Sequence, residues 1–381
     1  MILNVPLFFS KLQVKELFER MGYLSDDIVS VKYDEQRNVF EILLDEQCVV
    51  LDVEKVIAKN YELLIETIKG YKVLPSKVIK NNREGTPNEN NSELNLETRD
   101  YLLPNEVELL RVLDRGFERL AIQYSATIRD YSCILDEENM NKSKYHLEFP
   151  QNILSLFDVS HNFSVLNDIR NYKEFPQTVF RNTKRYLRPC ICYSTYNEYS
   201  DKTLNSNIII TSMGKCFRNE IDWKIDNLRK KEFYMREIVF LGDKEFVTNL
   251  RNDLIEKVWS LFEKLGLYGS METASDPFFY SEGLKKGTFQ KFADAKFELI
   301  SRTTGGKDVS LASFNYCGDM VCKSYNIKNN LNDYVYSGCV AFGISRWIEI
   351  IKQKKDWQIK DIEEAFNYIL NMPKGSLVLN E

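Results

Sequence analysis

The chain has 381 residues, of which 44% are hydrophobic and 28% charged, and its formal net charge is −5 at pH 7. This composition predicts a folded protein with one large or two modest domains and excludes a wholly disordered chain. No apolar run reaches about 18 residues, so we expect no transmembrane helix and no membrane partner. Eight cysteines without regular spacing, and a start without a basic region or cleavage site, favour a cytoplasmic protein.

Residues 1–80 have the pattern of a small α/β unit. Leu12–Tyr23 repeats apolar residues at helical spacing, and Val39–Val53 has the composition of two short strands. Val53–Tyr71 predicts a second helix that ends at Gly70. No motif identifies a role for this unit, so contact with a partner and a purely structural addition both stay open.

A stretch rich in Asn and Glu, with Gly and Pro, occupies residues 81–100 and predicts a flexible linker. We therefore expect one large domain over residues 101–381. Its first helix is predicted to begin at Pro104–Asn105, where a capping sequence precedes an apolar repeat. Ser125–Leu135 and Lys144–Pro150 have the composition of strands.

Two strand-like segments, NSNIIITSMGKCF and EFYMREIVFLG, flank a charged loop in the middle of the chain. On a strand, Arg218 and Glu220 would share one face because they are two residues apart. Phe233 and Glu237, four apart, would share a face of the second strand. Arg offers a planar fork of donors to a phosphate, and an aromatic ring can lie under a base, so the hairpin suits a nucleotide. On the residues alone, a half-buried hairpin with solvated charges is the simpler interpretation.

Cys192, Glu237 and Cys339 are candidate zinc ligands, because zinc accepts thiolate and carboxylate together and a catalytic zinc keeps one position open. The three residues are far apart in sequence, and the chain has no C-x-x-C pair that would support them. On a strand, Cys190 would point the same way as Cys192, and only one of the two need be a ligand. Taken alone, these residue types favour buried free thiols over a metal site.

The motifs resemble, in this order, the nucleotide-binding core of class II aminoacyl-tRNA synthetases. FRNE (Phe217–Glu220) resembles motif 2, EFYMRE (Glu232–Glu237) resembles the strand that follows it, and GISRW (Gly343–Trp347) resembles motif 3. The resemblance implies an α+β fold, in which a class II synthetase-like antiparallel sheet is flanked by helices, with a small N-terminal α/β domain beside it. It also implies the use of ATP with Mg²⁺.

The same resemblance implies a role for each motif residue. Arg218 is expected to bind the α-phosphate of ATP, and Glu220 to contact the nucleotide. Phe233 is expected to stack on adenine. Arg346, at the start of a helix, is expected to bind the γ-phosphate side. Arg218, Glu220 and Arg346 are therefore the catalytic candidates.

The segments around the three candidate metal ligands resemble the zinc-dependent branch of this family, the atypical seryl-tRNA synthetases and the amino acid:[carrier protein] ligases. ICYSTY, MREIVFLG and SGCVAFGISRW stand in the order of that branch. The resemblance implies that Cys192, Glu237 and Cys339 hold zinc, and that zinc captures the amino group of the substrate.

Four further blocks, over about residues 100–350, resemble the carrier protein ligases: HLEFP, ASDPFF, AKFEL and SFNYCGD. By this resemblance, Glu298 helps to hold ATP and its Mg²⁺, and Ser313 and Asn315 line the substrate pocket. Lys296 and Cys317 have no role that the resemblance assigns.

The expected function is the activation of an amino acid by ATP, followed by its transfer to the phosphopantetheine thiol of an acyl or peptidyl carrier protein. The helix from Pro104 would supply the contact of a homodimer. The net charge of −5, and a sequence without a long basic coiled-coil arm, make tRNA an unlikely partner. The alternatives are a synthetase-like enzyme that loads tRNA or another acceptor, and a non-catalytic synthetase paralogue.

His146 and His161 are the only histidines of the chain, which nearly excludes a His-dependent triad or a three-His zinc site. The expected activation does not require histidine, because positioning and neutralisation of the α-phosphate can carry it. Ser281–Phe292 is predicted as a loop whose lysines would suit an acidic carrier protein, or would simply be solvated.

Overall fold

A computed structural model describes most of the chain. It covers residues 1–70, 73–83, 99–173, 176–354 and 356–375, without the side chains of residues 281–284. Within these ranges, none of the helices combines the length and the apolar character that a membrane span requires. The predicted linker at residues 81–100 falls largely outside the described residues, so it stays a prediction.

Twelve helices and sixteen strands are labelled here in chain order within the described ranges. The helices are α1 (Lys11–Arg20), α2 (Val50–Lys69), α3 (Pro104–Gln123), α4 (Glu137–Ser143), α5 (Tyr145–Glu148), α6 (Phe163–Asp168), α7 (Cys192–Glu198), α8 (Lys244–Lys264), α9 (Ser281–Phe292), α10 (Met320–Ser324), α11 (Ile344–Ile351) and α12 (Ile359–Asn371). The strands are β1 (Ile2–Asn4), β2 (Ile28–Asp34), β3 (Val39–Leu44), β4 (Val78–Asn81), β5 (Thr127–Ile128), β6 (Ile134–Asp136), β7 (Ser155–Val159), β8 (Phe180–Leu187), β9 (Thr203–Leu204), β10 (Ile208–Phe217), β11 (Glu232–Gly242), β12 (Gly269–Thr273), β13 (Lys296–Arg302), β14 (Asp308–Gly318), β15 (Lys328–Asn329) and β16 (Tyr336–Phe342).

The chain divides into two compact units, each built from separate segments. The first unit comprises Met1–Tyr101, Glu220–Lys230 and Leu267–Ser310. The second unit comprises Leu102–Asn219, Lys231–Gly266 and Leu311–Glu381. The first unit therefore contains the N-terminal residues together with the loop between β10 and β11.

The N-terminal part of the first unit is a three-stranded antiparallel sheet, in the order β1-β3-β2, with α1 and α2. The predicted first helix is confirmed. The second strand predicted within Val39–Val53 is wrong, because Val50 already begins α2. Ile57, Tyr61 and Ile68 are buried at helical spacing, so the apolar face of a helix outweighs the strand-like composition of its first turn.

Residues 1–80 do not stand apart from the rest of the first unit. The buried guanidinium of Arg20 donates to the carbonyl oxygens of Phe278 at 2.6 Å and Phe279 at 2.8 Å. Trp223, from the loop between β10 and β11, packs against the N-terminal core and lies edge-on to Phe18. The N-terminal sheet and helices thus support two loops from later in the chain.

The main sheet of the second unit has the order β14-β16-β11-β10-β5, antiparallel except for the short β5–β10 pair. Helices α3, α8, α11 and α12 pack with it, and the ring of Phe117 stacks on that of Phe342 at 3.9 Å between centroids. The predicted α+β class, an antiparallel sheet flanked by helices, is confirmed. The predicted helix from Pro104 is confirmed as α3.

Two segments differ from their predicted secondary structure. Lys144–Pro150 is not a strand, because Tyr145–Glu148 forms α5 and a 3-10 turn follows. Lys144 adopts the left-handed region, with φ 57°, and its carbonyl accepts from the next helical turn. The second segment, predicted as the lysine-bearing loop, is the helix α9, and its Lys291 donates to the backbone rather than to solvent.

Candidate active site

The β11 strand of the β10–β11 hairpin carries two of the predicted site residues, Phe233 and Glu237. Phe233 lies opposite Cys216, and Glu237 lies opposite Ser212, in a continuous antiparallel register. Because side chains alternate along a strand, Phe233 and Glu237 point to the same face of β11, about 13 Å apart along the strand. The predicted shared face of these two residues is confirmed.

Arg218 lies beside the predicted base-stacking residue. Its guanidinium Cζ is 5.2 Å from the centroid of the Phe233 ring, and its Nε donates to the carbonyl oxygen of Pro189 at 3.3 Å. The predicted strand face that Arg218 would share with Glu220 is wrong, because β10 ends at Phe217. Beyond this point the chain leaves the hydrogen-bond ladder between β10 and β11, and the amide of Asn219 donates to a carbonyl oxygen outside the hairpin.

Glu220 belongs to the first unit, where its carboxylate accepts from Arg229 at 3.4 Å. Glu298 also lies in that unit, on β13, and pairs with Lys296 at 3.0 Å. Lys296 pairs with Asp276 as well, at 2.6 Å. Burial disfavours the ammonium, but the two carboxylates outweigh burial and raise the pKa of Lys296. Lys296, which the resemblance leaves without a role, thus neutralises the carboxylate of Glu298.

The strands β14 and β16 bring the predicted substrate residues beside a candidate metal ligand. Asn315 lies opposite Cys339, and Ser313 lies opposite Ala341. The amide Nδ2 of Asn315 donates to Ser313 Oγ at 3.2 Å and to Cys339 Sγ at 3.4 Å. Since Ala341 in turn lies opposite Glu237, these side chains share one face of the sheet.

The segment that carries Cys192 is not a strand. Cys192 is the first residue of α7, and the amide of Ile191 before it donates to Glu237 Oε1 at 3.2 Å. The Sγ atoms of Cys190 and Cys192 are 3.5 Å apart. The turn into α7 therefore directs both thiols toward the carboxylate of β11.

A buried arginine anchors this segment. Arg188, only 1% exposed, donates from Nε to Lys215 O at 2.9 Å and from Nη1 to Tyr131 O at 2.9 Å. Gly214 makes room for it, because a Cβ at that position would lie 2.0 Å from Arg188 Nη2. The guanidinium thus ties the start of the thiol-bearing turn to the β10 strand.

Glu237 is the most perturbed carboxylate of the site. It is 2% exposed, and burial, together with the nearby Cys339 thiol, raises its pKa to about 8. Its Oε2 atom is buried and has no hydrogen-bond partner among the described residues. The pKa of the Cys192 thiol is also raised. The causes, from the largest down, are hydrogen bonding with Cys190, hydrogen bonding with Cys339, and burial. A buried carboxylate oxygen without a donor, surrounded by thiols, fits the ligand set of a zinc ion.

Two of the three candidate metal ligands, Cys192 and Glu237, form a cluster with Cys190. One atom each of Cys190, Cys192 and Glu237 lies within 4.8 Å of the others. Cys339 is not part of this group, but it belongs to the buried apolar cluster against which Cys192 packs. The sequence prediction leaves Cys190 out, and its C-x-C spacing is the signal that points to it.

The predicted motif 3 helix is α11. The amide of Gly343 donates to Leu311 O at 2.9 Å, and Trp347 Nε1 donates to the same oxygen at 3.1 Å. Ser345 Oγ accepts from the amide of Tyr234 at 2.9 Å, which links the helix to β11. Arg346 lies in the first turn of α11, as the resemblance implies.

Comparison with known proteins agrees with this fold. Residues 177–355 match the tRNA synthetase class II core domain (G, H, P, S and T). Amino acid--[acyl-carrier-protein] ligase 1 of Bradyrhizobium diazoefficiens is 30% identical over 163 residues, which are 42% of this chain and 49% of that protein. Type-2 serine--tRNA ligase of Methanococcus aeolicus is 28% identical over 251 residues, which are 62% of this chain and 48% of that protein.

The chain spans about half the length of these curated relatives. Among solved structures, M. kandleri SerRS in complex with A. aeolicus tRNASec matches with a TM-score of 0.64 and 17% identity. That match covers 100% of this chain and 80% of the other, and it shows the fold. The two relatives name different acceptors for the activated amino acid, so the similarity does not choose between a carrier protein and tRNA.

Proposed function

We propose that this chain activates an amino acid with ATP and transfers it to a carrier protein, because residues 177–355 match the tRNA synthetase class II core domain. The observation that carries the proposal is the shared face of β11. It presents the Arg218–Phe233 pair at one end and the thiol–carboxylate cluster of Glu237 at the other. A nucleotide and an amino acid bound side by side need such an arrangement.

In the proposed first step, a carboxylate oxygen of the amino acid attacks the α-phosphorus of ATP, and pyrophosphate leaves. The product is an aminoacyl adenylate. Arg218 neutralises charge on the α-phosphate, Phe233 stacks on adenine, and Arg346 binds the departing phosphates. Glu220 and Glu298 hold the nucleotide and its Mg²⁺. The carboxylate is already a nucleophile, so these residues act by positioning and charge rather than by taking a proton.

The amino group of the substrate is assigned to the other end of the face. Cys192, Glu237 and Cys339 would hold a zinc ion, which supplies an open position for a substrate amine when it is bound. Ser313 and Asn315 orient the amino acid beside it. The bond from Asn315 to Cys339 Sγ supports this placement, because it fixes the amide next to a proposed ligand.

In the proposed second step, the phosphopantetheine thiol of a carrier protein attacks the carbonyl carbon of the adenylate. AMP leaves and a thioester forms. The relative from Bradyrhizobium diazoefficiens, named as an acyl-carrier-protein ligase, supports this acceptor. We propose that the enzyme acts in the cytoplasm as a homodimer.

The second candidate is transfer to tRNA. The type-2 serine--tRNA ligase of Methanococcus aeolicus matches 62% of this chain, more than the 42% that the carrier protein ligase matches. The first step would be identical, and only the nucleophile of the second step would change. The two candidates therefore need an acceptor assay.

The test is amino-acid-dependent exchange of pyrophosphate into ATP across a panel of proteinogenic and unusual amino acids, with and without a zinc chelator. We expect exchange with one small group of amino acids and its loss on chelation. The labelled amino acid is then offered to phosphopantetheinylated carrier proteins, to the same carriers without the prosthetic group, and to total tRNA. Label on the modified carrier alone supports the proposal, label on tRNA supports the second candidate, and no exchange from ATP-binding protein would contradict both.

A further inference from the structure

Cys190 has no part in the proposed reaction, although its thiol belongs to the cluster. Its Sγ lies 3.5 Å from Cys192 Sγ, too far for a disulfide, and both cysteines are free. Both thiols lie within 4.8 Å of a carboxylate oxygen of Glu237. Three protein ligands would suffice for a zinc ion that keeps a position open, so a third thiol needs a separate explanation.

We infer that Cys190 is a fourth protein ligand, which completes the coordination of zinc while no amino acid is bound. The inference rests on the proposed zinc site and adds one residue to it. With Cys192, Cys339 and Glu237, the thiolate of Cys190 gives three sulfur ligands and one oxygen ligand. Four protein ligands make a closed site, of the kind that retains its metal.

The backbone of the turn explains why both thiols face the same way. Ile191, between them, is buried in an apolar cluster with Cys216 and Met235. Its amide donates to Glu237 Oε1, which fixes the turn against β11. With the middle residue packed into the core, Cys190 and Cys192 are both held beside the carboxylate.

Oε2 of Glu237 supplies an independent observation. This atom is buried and has no hydrogen-bond partner in the described part of the chain, although Oε1 of the same carboxylate has one. A buried carboxylate oxygen without a hydrogen-bond donor indicates that its partner is a bound ligand and not another group of the protein. The thiols around it are those that a thiophilic divalent cation selects.

The consequence is that the amine of the substrate would compete with the thiolate of Cys190 for one coordination position of the metal. On a bound zinc ion, a substrate amine would take this position only after Cys190 left it, and the proton lost by the substrate ammonium would pass to the released thiolate. Cys190 would thus keep the coordination site closed between turnovers. It would also select for substrates that have a free amino group.

The experiment is a titration of the full-length, metal-free protein with Cd²⁺, followed by ultraviolet absorbance from cadmium–thiolate charge transfer. Absorbance at one bound ion scales with the number of thiolates, so Cys190→Ser should lose about a third of the signal. Cys192→Ser and Cys339→Ser should each lose the same share. Cys317→Ser, also next to Cys339, and Cys48→Ser in the first unit are the matched controls, and their signal should equal that of the wild type.

Cys190→Ser protein with the full wild-type absorbance would overturn the role of Cys190 and leave the zinc site standing. Failure of the wild type to bind one ion would overturn the zinc site itself. A loss in Cys317→Ser instead of Cys190→Ser would assign the extra ligand to Cys317 and overturn the inference. Circular dichroism and thermal unfolding of each variant, with Cys190→Ala as a second substitution, separate ligand loss from misfolding.

Addition of the amino acid identified by pyrophosphate exchange gives a further readout. It should lower the absorbance of the wild type by about a third and leave that of Cys190→Ser unchanged, because only the wild type has a third thiolate to release. An equal response of both proteins would overturn the competition between Cys190 and the amine.

Discussion

The guanidinium of Arg218 lies over the ring of Phe233, with 5.2 Å between Cζ and the ring centroid. In the proposed reaction, one of these groups binds phosphate and the other stacks on the base. A base that stacks on this face of the ring would replace the arginine there. Arg218 covers an aromatic surface that would otherwise be exposed to water, and we expect ATP to turn its guanidinium toward the α-phosphate.

Removal of the ring should weaken ATP binding without changing the use of the amino acid. For Phe233→Ala we expect the KM for ATP to rise about tenfold, since an aromatic stacking contact contributes on the order of 1 kcal/mol beyond its buried area. Phe233→Trp should retain most of the affinity. Pyrophosphate exchange at a series of ATP concentrations measures this KM. Tyr234→Ala, whose side chain points to the other face of β11, is the control and should have a smaller effect; equal effects would speak against base stacking on Phe233.

Glu237→Gln should remove the proposed metal while keeping the shape of the side chain. The amide cannot supply a negative charge, so we expect metal affinity to fall by more than about tenfold. Metal content after dialysis, measured by atomic emission, checks this. The control is Glu232→Gln on the same strand, where the exposed carboxylate pairs with Lys215. Full metal retention in Glu237→Gln would remove Glu237 from the site.

Metal uptake should release protons and strengthen as pH rises. Burial and the Cys339 thiol raise the pKa of Glu237 to about 8, so its carboxyl is mostly protonated at pH 6 in the metal-free protein. A bound metal needs the carboxylate, and protons therefore compete with it below the raised pKa and lose that competition above it. Competition with a chromophoric chelator at pH 6, 7 and 8 should show rising affinity. Because the thiol ligands also lose protons, a pH dependence equal to that of Glu237→Gln would mean that Glu237 does not bind the metal.

Asn315→Ala should affect the amino acid more than the nucleotide. The amide donates to both Ser313 Oγ and Cys339 Sγ. Its loss would leave both side chains of the proposed pocket wall without this hydrogen-bond donor. We expect the KM for the amino acid to rise about tenfold, the order of a hydrogen bond near a charged group, with little change in the KM for ATP. Ser313→Ala, which removes one acceptor of that amide, should have the weaker effect. A parallel rise in both KM values would indicate a general loss of structure.

Arg236, on the opposite face of β11 from the metal cluster, should be important for stability. It is 2% exposed and donates to Asp114 at 2.5 Å and to Glu118 at 2.9 Å. Arg236→Met leaves two carboxylates without their cation, and we expect a loss of about 3–5 kcal/mol in the free energy of unfolding. The control is Arg185→Met in the same unit, whose half-exposed pair with Asp158 should contribute about 1 kcal/mol or less. Urea denaturation compares the two variants; similar losses would contradict the role of burial.

The sequence by itself determined the elements whose signal is local. Strand-like composition predicts β10 and β11, the apolar pattern after Pro104 predicts α3, and the resemblance of GISRW to motif 3 predicts the start of α11. The spacing of Phe233 and Glu237 places both on one strand face, because the period of a strand does not depend on its neighbours. The α+β class follows from the same local signals together with the resemblance.

Only the tertiary structure decided which distant groups meet. The approach of Cys190 and Cys192 to Glu237 depends on the packing of Ile191 into an apolar cluster, and the pairing of Lys296 with Asp276 depends on the path of a loop. The helix α5 likewise replaces a predicted strand. Local composition could not reveal these outcomes, because burial and pairing between residues far apart in the chain outweigh the small intrinsic preferences of short segments.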